Sequence, residues 1–594
     1  MKRARSRGTR SWKLGLPVAL AAVVVTVIAA STTQAGPSPR ANGPKFTEAK
    51  AFDVSKPLRE LAKNAKPSKK GLPPASGHDT DSEPSAEASP AGARLASGSS
   101  VAGVSAQQSA STQQAVATIP APLRTFEGLS NQDNFDLFGF RVAPPDPVGD
   151  VGPNHYVEMI NLVFAVYDKQ GNRLLGPVDT GTLWSGFAVE DCTDPSGDPI
   201  VVYDQLEDRW ILTQFTTRFT SDPENDVFYN CVAISQTGDP TGAYFRYAFT
   251  SGNFFPDYPK YGVWTDSYLL TSRDFGPTVE YGISVYALEK NKMLAGNPRA
   301  RAVQFFLDSD VVPIYLMGDG LLPTDIDGTR RPRDRVPAPI VGTMDDDGPY
   351  GAPFDALNVF ELDVQWNSKP VASFGLVAQL PVTPFDSAFP CSPGSRDCLP
   401  QPGISNPLQY LDILSYRQRP THRLAYRNTG KYETMVTNQS VEARTNVAGV
   451  RWYEIRRTEG QYSVYQQGTF SPDDVHRWMG SIAMDKKGNA ALGYSVVDGT
   501  SVFPGIRYTG RLAGDPLGQM PLGEGVIING SGVQTTTNSR WGDYTSMNVD
   551  PVDDCTFWYV NEYYAVSGFP IGPGITTTAP WQTRIGAFKL PGCS

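Results

Sequence analysis

Beyond about Pro120 the apolar positions fall into short runs separated by turn dipeptides, and the chain is dense in Tyr, Trp, Phe, Val, Gly, Pro and Asp. Helical spacing of apolar residues is hard to find, the best stretch being Val285 to Leu294. Short apolar runs punctuated by turn chemistry predict strands, so the pattern predicts an all-β chain longer than one ordinary sandwich. A strand–hairpin–strand unit recurs irregularly, opening at Asp146, Asp198, Asp257, Ala338, His422, Arg477 and Arg540. Seven copies at spacings of several tens of residues predict a seven-bladed β-propeller with insertions in its loops, and a multi-domain β-sandwich is the competing architecture. Asp168-Lys169-Gln170-Gly171-Asn172 and Asp485-Lys486-Lys487-Gly488-Asn489 read as one hairpin turn used twice, Asp bonding amides ahead of it and Gly taking positive φ.

The pattern is different upstream. Lys2, Arg3, Arg5, Arg7, Arg10 and Lys13 precede an apolar run from Leu14 to Ala30 and a small-residue site ending at Ala35. This order predicts a secretory signal peptide over 1–35, too short and too interrupted by Pro17 for a spanning anchor. Residues 36–121 are rich in Pro, Ser, Ala and Gly, and predict a disordered tether, with at most a short helix near Leu58 and Leu61 that packs on no core. The propeller domain is then 122–594, in a protein that is secreted and extracellular or attached to the cell surface, with no membrane insertion after signal cleavage.

Cysteine and charge narrow the partners. Cys192, Cys231, Cys391, Cys398, Cys555 and Cys593 lack CxxC spacing and read as disulfides of an exported chain. Proximity suggests Cys192–Cys231, Cys391–Cys398 and Cys555–Cys593, one of about fifteen pairings six cysteines allow, the last clamping the C-terminus to close the ring. A formal charge of −9 argues against nucleic acid as a partner.

The segments starting at Pro144 (PPDPVGDVGPNHYV), Asp198 (DPIVVYDQLEDRW), His476 (HRWMGSIAMDKKGN) and Ser539 (SRWGDYTSMNVDPVDDCTFWY) resemble a class of secreted bacterial β-propeller proteins, distantly sialidase-like, over about Pro122 to Cys593. The resemblance implies the fold. It does not extend to sialidase activity, because the Asp-box pattern survives only in degenerate form at Asp550–Trp558 and Asp485–Gly488, and no Arg-Ile-Pro segment occurs.

Candidate chemistry clusters at the starts of the repeats. Arg477-Trp478 and Arg540-Trp541, with His476 beside the first, are candidate ligand-binding groups at the channel mouth, Arg for an anion and Trp for a sugar face. Blade packing is their alternative role. Asp146, Asp198, Asp257 and Asp543 could set carboxylates around one rim, or simply shape turns. Asp345, Asp346 and Asp347, and Asp325 with Asp327, have the oxygen density of calcium loops without EF-hand order, and no other cofactor is implied. With no HExxH and no GxSxG, the leading expectation is a non-catalytic binder of extracellular carbohydrate or a cell-envelope polymer. The enzymatic alternative is a glycoside hydrolase or lyase using Asp257 and Asp543 with Tyr258 or Tyr544. A third is an adhesive scaffold for extracellular protein.

Overall fold

The computed structural model describes residues 43–65, 118–277, 281–333, 335–389, 397–413, 418–536, 539–569 and 578–594. The expected signal peptide, most of the expected tether, and Cys391 lie outside them. Among the described residues, seven short strands stand side by side in a closed circuit. Val148–Val151 neighbours Ile200–Asp204, then come Phe255–Val263, Leu322–Ile326, Thr421–Asn428, His476–Met484 and Ser546–Val549, which returns to Val148–Val151. From each, antiparallel strands step outward. The chain is a seven-bladed β-propeller.

Inner strands are buried along their whole length, since they touch the neighbouring blades on both faces. Outer strands alternate instead, as in Gln461–Phe470, where one face meets water. Close approach of blades selects glycine at particular points. A β-carbon on Gly493 of blade six would stand 2.5 Å from the ring of Tyr559 in blade seven, so that contact requires a bare backbone.

Six of the seven repeat units start at a blade's innermost strand. The copy at Ala338 supplies the second strand of blade four, whose innermost strand is Leu322–Ile326. The two Asp-led turns are the same at the level of bonds. Asp168 and Asp485 each accept from the amides two and four residues on and from the Asn side chain, and Gly171 and Gly488 have φ of 88° and 83°. They join different strand pairs of their blades, so the turn is local chemistry rather than a marker of position. The expected helix at Val285 is strand to Glu289 and helical only over Lys290–Leu294.

Two expectations are corrected. Residues 43–65 are not a free tether. Lys45–Glu48 adds a fifth strand to the edge of blade three and Ala51–Val54 one to blade two. Leu58–Asn64 then forms a helix with Leu58 fully buried. Phe52 stacks near Tyr247 at 4.9 Å, and Asp53 takes both arms of the buried Arg246 at 2.7 and 2.6 Å. Low average hydrophobicity hid this strap, because an edge strand gains most from backbone pairing and needs few apolar residues.

The second correction concerns closure. Cys555 is bonded to Cys593, and Cys192 to Cys231. Cys398 is also oxidised. Yet Cys555–Cys593 joins adjacent strands of one blade, flanking the pair Thr556↔Lys589. The ring is closed from the other end of the sequence: Arg124–Ser130 pairs antiparallel with Trp581–Lys589 as the outermost strand of blade seven. Among the described residues, no helix is long and apolar enough to cross a membrane.

Candidate functional site

The inner strands, or the segments leading into them, share a backbone device. Asp146, Asp198, Tyr258, Gln418, Met479 and Ser539 all have φ between 42° and 57°. Non-glycine residues adopt this left-handed region at a cost that surrounding contacts must offset. In blades one, two, three, five and seven the turn brings polar side chains into one cluster.

At its centre, Lys260 places its ammonium 3.0 Å from the ring centroid of Tyr258 and 3.6 Å from that of Tyr544. The rings themselves are 5.2 Å apart. The Arg419 guanidinium lies 3.7 Å from the Tyr258 centroid. Tyr544 donates its hydroxyl proton to Asp198 at 2.8 Å. Asp543 accepts from Arg540 at 2.8 Å, and Arg419 stands 4.0 Å from the same oxygen. Asp146 accepts from the Asp543 amide and from the Asn161 side chain, both at 2.6 Å, while Asn161 accepts from the Asp198 amide. Glu562 lies behind, accepting from the Gly542 amide at 2.5 Å. Asp198 is half-buried and the other ionisable groups named are buried.

Burial decides the protonation pattern. Desolvation, then the charges of Asp543 and Asp198, hold Asp146 well above the usual carboxylate range. Glu562 is raised well above its ordinary value, again by burial first, with Asp146 and Asp543 adding to it. Burial and then Arg419 push Lys260 well below the usual amine range. Two carboxyls held above the usual range therefore stand beside Asp543, which is paired with a guanidinium. Carboxyls raised by burial beside a charged cluster are the kind of group that general acid–base chemistry uses.

The structure thus brings Asp543, Tyr258, Tyr544 and Arg540 together, and Asp257 is buried nearby, its charge acting on Tyr544. Four other expected residues lie elsewhere. Arg477 is fully buried and ion-paired to Asp473 at 2.7 Å and Glu524 at 2.8 Å. Glu524 belongs to the outermost strand of the same blade, so this guanidinium staples blade six. Trp478 and Trp541 pack on each other at 5.1 Å with no exposure, making the seam of blades six and seven rather than a sugar platform. His476 accepts from the Ala448 amide at 3.2 Å, edge-on to Phe389, and burial lowers it to about 4.

Of the calcium candidates, Asp325 and Asp327 hold Arg423, at 2.8 and 2.6 Å. A guanidinium is the cation there. Asp345 and Asp346 instead converge with Asp355. The residues missed from sequence are Lys260, Arg419 and Glu562. Lys260 carried a usable signal, two positions after the Tyr258 of a repeat start, whereas Glu562 sits mid-strand without one.

No family model matches the chain, and no curated protein matches it. Among solved structures, an α-L-arabinanase of Penicillium chrysogenum with arabinobiose bound is 10% identical, with 80% of this chain and 100% of that one covered and a TM-score of 0.33. An endo-arabinase of Bacteroides thetaiotaomicron is 11% identical over 54% of this chain and 95% of its own, at 0.23. A Trypanosoma rangeli sialidase is 9% identical over 65% of this chain and 54% of its own, at 0.26.

Proposed function

We propose that this chain is an extracellular carbohydrate-active propeller that binds an acidic saccharide at the channel mouth and cleaves a glycosidic bond there. The observation that supports the reading is the juxtaposition of Asp146, whose carboxyl burial pushes upward, with the ion-paired Asp543, ringed by Arg419, Arg540 and Lys260. In this role Asp146 protonates the leaving oxygen, and Asp543 stabilises positive charge developing at the anomeric carbon or activates water. Arg419 and Arg540 receive the sugar's carboxylate, for which planar guanidinium is suited. Tyr258 and Tyr544 supply ring faces. Oxidised cysteines fit an exported protein, and the leader over 1–35 gives the route.

The test is a screen of chromogenic glycosides, uronides included, run beside a glycan array. Release from an acidic glycoside that falls at least about a hundredfold in both Asp146→Asn and Asp543→Asn is the expected result. Binding without release would leave a lectin-like mouth, a second reading favoured by how fully these groups already bond one another. Neither binding nor release, from folded protein, would sink both.

A further inference from the structure

The structure assigns a calcium site to blade four, built by Asp345, Asp346 and Asp355 with the amide oxygen of Gln418 from the start of blade five. It stands independently of the function proposed for the mouth. One carboxylate oxygen from each of the three aspartates lies within 4.8 Å of the others, the spread of ligands around one ion with metal–oxygen distances of about 2.3–2.6 Å. Among the described residues, no lysine, arginine or histidine forms an ion pair with any of them, and Asp386 and Glu442 add negative charge at the same place. This repulsion is what a divalent cation would relieve.

Gln418 is the second, independent observation. It is fully buried, and neither its side-chain oxygen nor its nitrogen has a hydrogen-bond partner. A buried amide left so costs on the order of 1–3 kcal/mol. It is aimed at the aspartates: a β-carbon on Gly348 would meet Gln418 Oε1 at 2.8 Å and the Asp345 carboxyl carbon at 3.0 Å. The Gln418 backbone N–H donates to Ser387 Oγ at 2.9 Å, and Ser387 in turn donates to Asp345, so the pieces are already tied together. All donors are oxygens, with no Cys or His, which selects a hard cation. Their irregular placement on a turn and a neighbouring blade suits calcium's flexible shell better than the strict octahedron of magnesium.

The ion would join two segments, the turn between Met344 and Ala356 and the start of blade five, with the stretch holding Ser387 tied to them through Asp345. That last segment continues into Arg419, so calcium would brace one wall of the mouth. The probe is calcium chloride alone, titrated calorimetrically into chelator-treated protein, with magnesium chloride as control. Saturable binding of one calcium and a rise in Tm of several degrees are expected, with magnesium at least tenfold weaker. The informative variant is Asp346→Asn, because that carboxylate is exposed and its side chain supports no turn. It should weaken calcium at least tenfold, yet match or exceed the parent's Tm in chelator, where it removes like-charge repulsion. Gln418→Met, keeping the volume without the oxygen, should weaken calcium with little change of Tm in chelator. No binding at 10 mM calcium, or binding unchanged in both variants, would overturn the assignment and leave a solvated acidic turn.

Discussion

At the scale of the residue, one dipeptide used twice shows how sequence and space part company. In blade six the left-handed residue follows the pair, at Met479, while in blade seven it precedes it, at Ser539. Arg477-Trp478 and Arg540-Trp541 are therefore out of step, and of the two arginines only Arg540 joins the Asp146–Asp543 cluster. Truncating Trp478 or Trp541 to Ala should cost about 3–5 kcal/mol, since each leaves a large cavity in a buried seam. Arg540→Met should lose ligand affinity and also lower Tm, because it leaves the buried Asp543 without its guanidinium partner. Denaturant melts paired with ligand titration check both, and a Trp541→Ala protein that melts like the parent would contradict the packing role. The Asp and Tyr positions of the mouth were legible because they recur at repeat starts. Glu562 was not, because a carboxylate inside a buried strand looks the same in sequence whether it faces a core, a bond donor or a ligand.

Elements carry a different lesson, since what an edge strand contributes lies in pairing partners far away in sequence. Lys45–Glu48 and Ala51–Val54 cover the outer edges of blades three and two, and Leu58 is fully buried in the core beside them. Removing 43–65 would bare two long edges, which are templates for aggregation. The deletion should lower Tm and promote association, and Leu58→Ala alone should cost about 2–5 kcal/mol. Scattering and melting curves of the shortened protein test this, and unchanged behaviour would return the segment to the status of a tether. The Cys555–Cys593 bridge is also local. Replacing both cysteines by serine should cost about 2–4 kcal/mol while leaving the ring intact, because Arg124–Ser130 still pairs with Trp581–Lys589. Loss of the near-ultraviolet circular dichroism signal in that variant would restore the bridge to a closing role.

For the molecule as a whole, the blade number was legible from recurrence, and the means of closure was not, since a single strand at the wrong end of the chain carries no repeat. The closing seam is sensitive to pH. Glu158 of blade one accepts from the Leu129 amide at 2.9 Å and from Thr583, and burial raises it to about 7. Between the unfolded value near 4.5 and this one, the folded state keeps a proton that the unfolded state has released. Its contribution to stability is therefore complete below about 4.5 and fades as pH climbs to about 7, by as much as roughly 3 kcal/mol. Glu158→Gln should flatten that part of the stability profile relative to the parent, as measured by denaturant melts from pH 4 to 8. An identical slope would remove Glu158 as its source.

The same seam orders events during biosynthesis. Leu129 and Thr583, which meet across it, are 454 residues apart, so the first strand of the domain must wait for almost the last before it finds its partner. Contacts of such sequence separation form late and slowly. Six blades can condense as the chain emerges, with the seventh held open until the C-terminal strand arrives. A nascent chain halted before Trp581 would present the unpaired Arg124–Ser130 strand to proteases, and gain resistance only when the last strand is released. Limited digestion of arrested chains of increasing length would show protection arriving in one step, at the end.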